Sequence, residues 1–124
     1  SAGAGDIKPM HSSAIGKAFL GRLNDTERAA LVARLPLDLR TANTITERAA
    51  LEADLTEGIG RGYFVTRGEN VVDVMGLATT ADVYGETMGI AVAGPLVRME
   101  AGEAELAARL LSAKATLEAL GSGA

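Results

Sequence analysis

The chain has 124 residues, enough for one compact domain that buries roughly two-thirds of its unfolded surface. Hydrophobic residues make up 48% against 23% charged, which excludes a disordered chain, and a net charge of -4, from 12 Lys+Arg and 16 Asp+Glu, gives no basic face for gripping nucleic-acid phosphates. The absence of cysteine excludes disulfides, thiolate metal sites and a Cys nucleophile. Aromatic residues are only 3% with no Trp, which argues against stacking platforms for bases or sugars, and no apolar run is long enough to cross a bilayer. A soluble, cytoplasmic protein with a core of Ala, Leu and Val is expected.

Residues 1–5 are small and lack the basic and apolar stretches of a secretion signal, so they read as a flexible start or appended remnant, with the domain expected to span 6–124. Ser12 and Ser13 precede an apolar pattern at Ile15, Phe19, Leu20 and Leu23, which predicts a hydroxyl-capped helix from about Ala14, weakened at its end by Gly21. Asn24 followed by Glu27 has the layout of a capping box, and Ala30, Leu31 and Leu35 continue a second helix as far as Pro36. A connector to Thr44 follows. Thr46 is placed to cap a third helix carrying Ala50, Leu51, Leu55 and Ile59, with Gly60 and Gly62 as its stop.

Beyond Tyr63 the texture becomes β-rich. Strands are predicted at Tyr63–Val65, Val71–Ala78 and Thr87–Ala93, separated by Gly68 and by Asp82–Gly85. Leu106, Leu110, Ala113, Leu117 and Leu120 then recur at helical spacing from an acidic start at Glu103 and Glu105, which predicts one long closing helix. Helices, then strands, then a helix make an α+β fold, with helices packed over an antiparallel sheet.

Four stretches in order, Pro9 to Leu20 (PMHSSAIGKAFL), Asn43 to Thr46 (NTIT), Arg61 to Val65 (RGYFV) and Ile90 to Pro95 (IAVAGP) with Arg98 beyond, resemble the effector-binding domain of the IclR family of bacterial transcription regulators. The resemblance implies a GAF-like fold enclosing a pocket for a small organic effector. It also implies a winged helix-turn-helix and the first strands of the domain ahead of the matching segment. On that reading the chain is the later part of an effector domain, reaches DNA only through a domain outside it, and assembles as a homodimer or homotetramer. Sheet edges left bare would be free to pair with a second copy.

The residues themselves suggest a site at the first helix. A helix N-terminus offers unpaired amides and partial positive charge to a carboxylate, so Ser13, Ala14, Ile15 and Gly16 are candidate ligand-binding residues, Gly16 allowing close backbone approach. The alternative is that Gly16 and Ala18 only let the helix pack tightly. The resemblance adds Thr66, Gly76, Ala91 and Ala93, and an acid at Glu69, while Met75 and Met88 are gap-filling residues that could line the cavity. Family members that bind small keto acids tend to carry Asp, Cys and Ser at these wall positions. Their replacement here by small or apolar residues predicts a roomier pocket for an aromatic or larger apolar carboxylic acid, because an unpaired polar ligand group would cost roughly 1–3 kcal/mol.

An enzyme is not indicated: no nucleophile, base and orienting group occur together in a motif. His11 has no chelating partner at i+4 and reads as a packing residue, Lys17 as a solvated helix charge, and Glu69, if not in the site, as a solvated turn carboxylate. No metal or cofactor is expected. The glycines of Gly58 to Gly62 follow a helix and lead into a strand, the reverse of a phosphate cradle, and read as helix termination. The competing functional reading is an oligomerisation module whose pocket is vestigial, for which a cavity filled by side chains would be the sign.

Overall fold

The computed structural model describes residues 9–122. Three strands, β1 (Phe64–Arg67), β2 (Val74–Val83) and β3 (Glu86–Pro95), form an antiparallel sheet in the order β1-β2-β3. Three helices precede it, α1 (Ala14–Arg22), α2 (Asp25–Arg34) and α3 (Arg48–Arg61), and two follow, α4 (Leu96–Ala101) and α5 (Glu103–Gly121). The α+β expectation is met.

Strand alternation divides the interior into two layers. Phe64 pairs with Ala78, and both turn toward α1–α3, where they join Ala14, Ala18, Leu20, Val32, Leu51 and Leu55. Their neighbours Val65 and Leu77, also paired, turn the other way with Met75 and pack on Met99, Ala107 and Leu110 of α4 and α5. The sheet therefore has helices on both faces.

Local signals explain most boundaries. Ser13 caps α1, its hydroxyl accepting from the Gly16 N–H at 3.1 Å, and Asn24 caps α2 by accepting from the Glu27 N–H at 2.8 Å. The expected Thr46 cap of α3 is replaced: Glu47 occupies that position without a side-chain bond. The start of α3 is held instead by Arg48, whose guanidinium donates to the carbonyls of Val32 and Leu35 at the end of α2. The buried stripe of α3 is Leu51, Leu55 and Gly58, while Ala50 and Ile59 face outward, and the helix runs through Gly60 to stop at Gly62, whose φ of +94° is left-handed.

Two glycines read as helix breakers have a packing role. A Cβ added at either Gly21 or Gly58 would fall 2.2 Å from the Phe64 ring, so the ring is clasped between α1 and α3 where both helices lack side chains. The β2 strand begins three residues later than predicted and extends further, to a two-residue hairpin at Tyr84 and Gly85, both with positive φ as a twisted hairpin requires. Asp73 also has positive φ, which turns the chain before β2. The short α4 was not anticipated, and Gly102 separates it from α5.

Candidate ligand-binding site

The cavity lies where the N-terminus of α1 meets the face of the sheet, across a row of all three strands. It has a volume of about 230 Å³ and is lined by residues of α1 and its cap, the end of β1, the following turn, the start of β2 and the latter half of β3. Of the residues singled out from sequence, Ser13, Ala14, Ile15, Thr66, Gly76, Ala91 and Ala93 come together on its wall, and Ser12, Asn70, Val71, Val74 and Val92 join them. Gly76 keeps the space open: a Cβ there would lie 3.1 Å from the Thr66 hydroxyl and 3.2 Å from the Ala14 Cβ.

The polar groups of the wall are few and directed. The Ser13 hydroxyl is fully engaged, donating to the Pro9 carbonyl at 2.7 Å while capping Gly16. That leaves the Ala14 and Ile15 N–H groups without acceptors among the described residues, the unsatisfied first amides of a nine-residue helix. Ser12 donates to Oδ1 of Asn70 at 3.2 Å, which directs the Asn70 amide nitrogen away with no acceptor among the described residues. Thr66 is buried, only 6% exposed, and its hydroxyl has no hydrogen-bond partner among them either. Several donors thus converge within apolar walls of Ala14, Ile15, Val71, Val74, Ala91 and Ala93. No group of three or more His, Asp or Glu among the described residues is arranged to hold a metal ion.

Four candidates lie elsewhere. A Cβ at Gly16 would fall 2.6 Å from the Met10 Cα, so this glycine lets α1 close against the preceding turn instead of against a ligand. Met75 points to the α5 face, fully buried with Val65 and Leu77, and Met88, paired with Ala81, is 45% exposed on that same opposite face. Strand parity accounts for both: Met75 adjoins Gly76, and Met88 is an odd number of residues from Ala91 and Ala93. Glu69 is withdrawn from the cavity by Lys17.

Lys17 is the residue whose role is least like its sequence reading. It is fully buried, and its ammonium contacts Glu69 Oε1 at 2.7 Å, Asp54 Oδ2 at 2.7 Å and the Val65 carbonyl at 2.9 Å. Three donors meet three acceptors, so the buried charge is both paired and satisfied. The other oxygen of Glu69 accepts from the Arg67 N–H at 2.9 Å, so Glu69 is no solvated turn carboxylate. The sequence carries one signal of this burial: Ala14, Lys17, Ala18 and Gly21 fall on one helical stripe, a lysine among small, inward-facing residues. His11, as expected, is buried and structural, its Nε2 2.9 Å from the Asp38 carbonyl.

On the far face, Arg67 joins β1 to the last two helices through Glu100 at 3.2 Å and Glu103 at 2.7 Å, and the Tyr63 hydroxyl donates to Glu103 at 3.0 Å. Burial alone would raise the Glu103 carboxyl, but hydrogen bonds from Arg67 and Tyr63 and the Arg67 charge more than offset it and hold the group below its ordinary value. Burial and the bond to Glu103 together push the Tyr63 phenol upward.

The family model described as bacterial transcriptional regulator IclR C-terminal matches residues 1–118. The chain belongs to the IclR family. Among curated relatives, the probable transcriptional regulator SauR of Cupriavidus necator is 36% identical over 97 residues, covering 77% of this chain and 38% of SauR. The chain therefore spans well under half of that relative's length. Among solved structures, an IclR transcriptional regulator from Silicibacter sp. TM1040 superposes with a TM-score of 0.81 at 26% identity over 100% of this chain and 50% of that one. The double mutant of the PobR inducer-binding domain from Acinetobacter, crystallised with 3-hydroxybenzoic acid, shares the fold with a TM-score of 0.80 at 19% identity, covering 92% of this chain and 67% of that one. These relatives are named as transcription regulators, and no helix among the described residues of this chain is long and apolar enough to cross a membrane.

Proposed function

We propose that this IclR-type domain is a sensor for an aromatic or larger apolar carboxylic acid, bound in the cavity at the α1 N-terminus. The observation that carries the proposal is the pairing of free donors with apolar walls. The Ala14 and Ile15 amides, the Thr66 hydroxyl and the Asn70 amide can meet a carboxylate, and the partial positive charge of the helix end favours it. The remaining wall, chiefly Ile15, Val71, Val74, Ala91 and Ala93, presents mostly carbon to the rest of the ligand. A cavity of about 150 Å³ accommodates a benzene ring, so the 230 Å³ here has room for a monocyclic acid. A two- or three-carbon keto acid would leave much of that wall unfilled. That the PobR domain, of the same fold, holds a hydroxybenzoic acid is in keeping with this chemistry. In the longer protein, binding would shift the balance between conformers of the domain and so change how an attached DNA-binding domain is presented, through a difference in affinity for the two conformers.

The open cavity favours this reading over a purely assembling module, for which collapsed side chains would be the mark. The direct test is calorimetry of the 124-residue chain with benzoate and phenylacetate beside pyruvate and glyoxylate. Saturable binding of the aromatic acids is expected; tight binding of the keto acids with none of the aromatic ones would overturn the assignment of ligand class. Silence from all four on a folded sample would return the assembly reading.

A further inference from the structure

We infer that Lys17 is the positioning residue of this cavity, holding its polar wall in place from behind without facing the ligand. The inference rests on the cavity being the ligand site. Lys17 makes no part of the lining, yet two of its three partners immediately precede two of the polar wall residues: the Val65 carbonyl precedes Thr66, and Glu69 precedes Asn70. Glu69 also folds back onto the Arg67 N–H, which closes the turn between those points. The same turn is tied from the connector after α2, where Thr41 donates to the Gly68 carbonyl at 2.5 Å and Thr44 to the Glu69 carbonyl at 2.7 Å.

Two links run from the α1 end to this turn: the Ser12 hydroxyl, just ahead of the helix cap, bonds Asn70 at 3.2 Å, and Lys17, within the helix that supplies the Ala14 and Ile15 amides, makes the buried, charged one. With its charged link Lys17 holds the separation between the two donor groups that a bound carboxylate must bridge. Recognition at several points at once requires donors held to within about half an ångström, which flexible turns do not provide unaided. The third partner, Asp54 on α3, shares the charge but, among the described residues, makes no hydrogen bond or ion pair to the turn that carries Thr66 and Asn70. This asymmetry makes the role testable.

The test is calorimetric binding of benzoate to the parent chain, Lys17→Met, Glu69→Gln and Asp54→Asn, with amide hydrogen exchange read at residues 66–71 in the absence of ligand. Glu69→Gln should weaken benzoate about tenfold, near the lower end of what a hydrogen bond to a charged group is worth. It should also speed exchange at Asn70 and Val71, while Asp54→Asn does neither. Lys17→Met should behave as Glu69→Gln or worse; should it fail to fold, the other pair decides. Equal effects of Glu69→Gln and Asp54→Asn, or no effect of the first on either readout, would overturn the inference. If benzoate does not bind the parent, the ligand class is wrong, but the exchange difference still decides the role of Lys17.

Discussion

Lys17 shows how much one buried charge can govern. Its removal leaves Asp54 and Glu69 facing each other across a site that excludes most water, with side chains only 28% and 12% exposed. Lys17→Met is expected to cost about 3–5 kcal/mol, the range for breaking a buried pair by deleting one partner, as read from chemical denaturation of the chain. Double substitution of Lys17 and Glu69 by apolar residues should recover part of that loss. At Gly58 a Cβ would stand 2.2 Å from the Phe64 ring, which cannot retreat because Gly21 clasps its other side. Gly58→Ala should therefore destabilise by about 1–3 kcal/mol despite the better helix propensity of alanine, and Phe64→Leu in the same chain should relieve part of it.

Among the elements, β1 serves different neighbours with its two faces. Thr66 faces the cavity, and the next residue, Arg67, grips Glu100 and Glu103 at the junction of α4 and α5. Because the Glu103 carboxyl is held below its ordinary value of 4.5 in the folded chain, its contribution to stability is present above that value and is lost as pH falls through the lower folded value. Melting temperature should thus decline below about pH 4.5, and Glu103→Gln should show a shallower decline over the same interval while melting lower near neutrality. A parallel pH dependence for the two proteins would show that the clamp carries no linkage. The hairpin that joins β2 to β3 is a second element-level case. Tyr84 takes a positive φ of 52°, a conformation an asparagine adopts more readily, so Tyr84→Asn should raise stability by a few tenths of a kcal/mol up to about 1 kcal/mol.

For the whole molecule the decisive property is an unfilled cavity bounded by three parts of the chain. Gly76 is the position at which it can be closed from within, since its added side chain would enter the space between Thr66 and Ala14. Gly76→Val is expected to abolish the stabilisation by benzoate, which at about a hundred times the dissociation constant amounts to roughly 2.7 kcal/mol for the parent. A β-branched residue suits a strand, so the fold should survive, and thermal melts with and without ligand separate lost binding from lost folding. An unchanged ligand shift in a folded Gly76→Val chain would place the binding site elsewhere.

The sequence by itself determined the class of fold, the caps of α1 and α2, the closing helix and seven wall residues of the cavity, partly through periodicity and partly through the family resemblance. Of the stripe expected on that helix, Leu110 is buried and Leu106 and Leu117 half-buried, whereas Ala113 and Leu120 face outward and Ala107 is buried in their place. It also contained the parity that separates Met75 from Gly76 and Met88 from Ala91, because alternation along a strand is a local rule. Tertiary structure alone decided which carboxylates meet Lys17, since Glu69 lies 52 residues away and no local pattern links them. It likewise decided that Gly21 and Gly58 clasp one aromatic ring, and that Ser12 and Asn70 join the cavity. Such partnerships depend on where separate elements cross, and the crossing is set by packing of the whole core, whereas caps, periods and turns depend only on residues a few places apart.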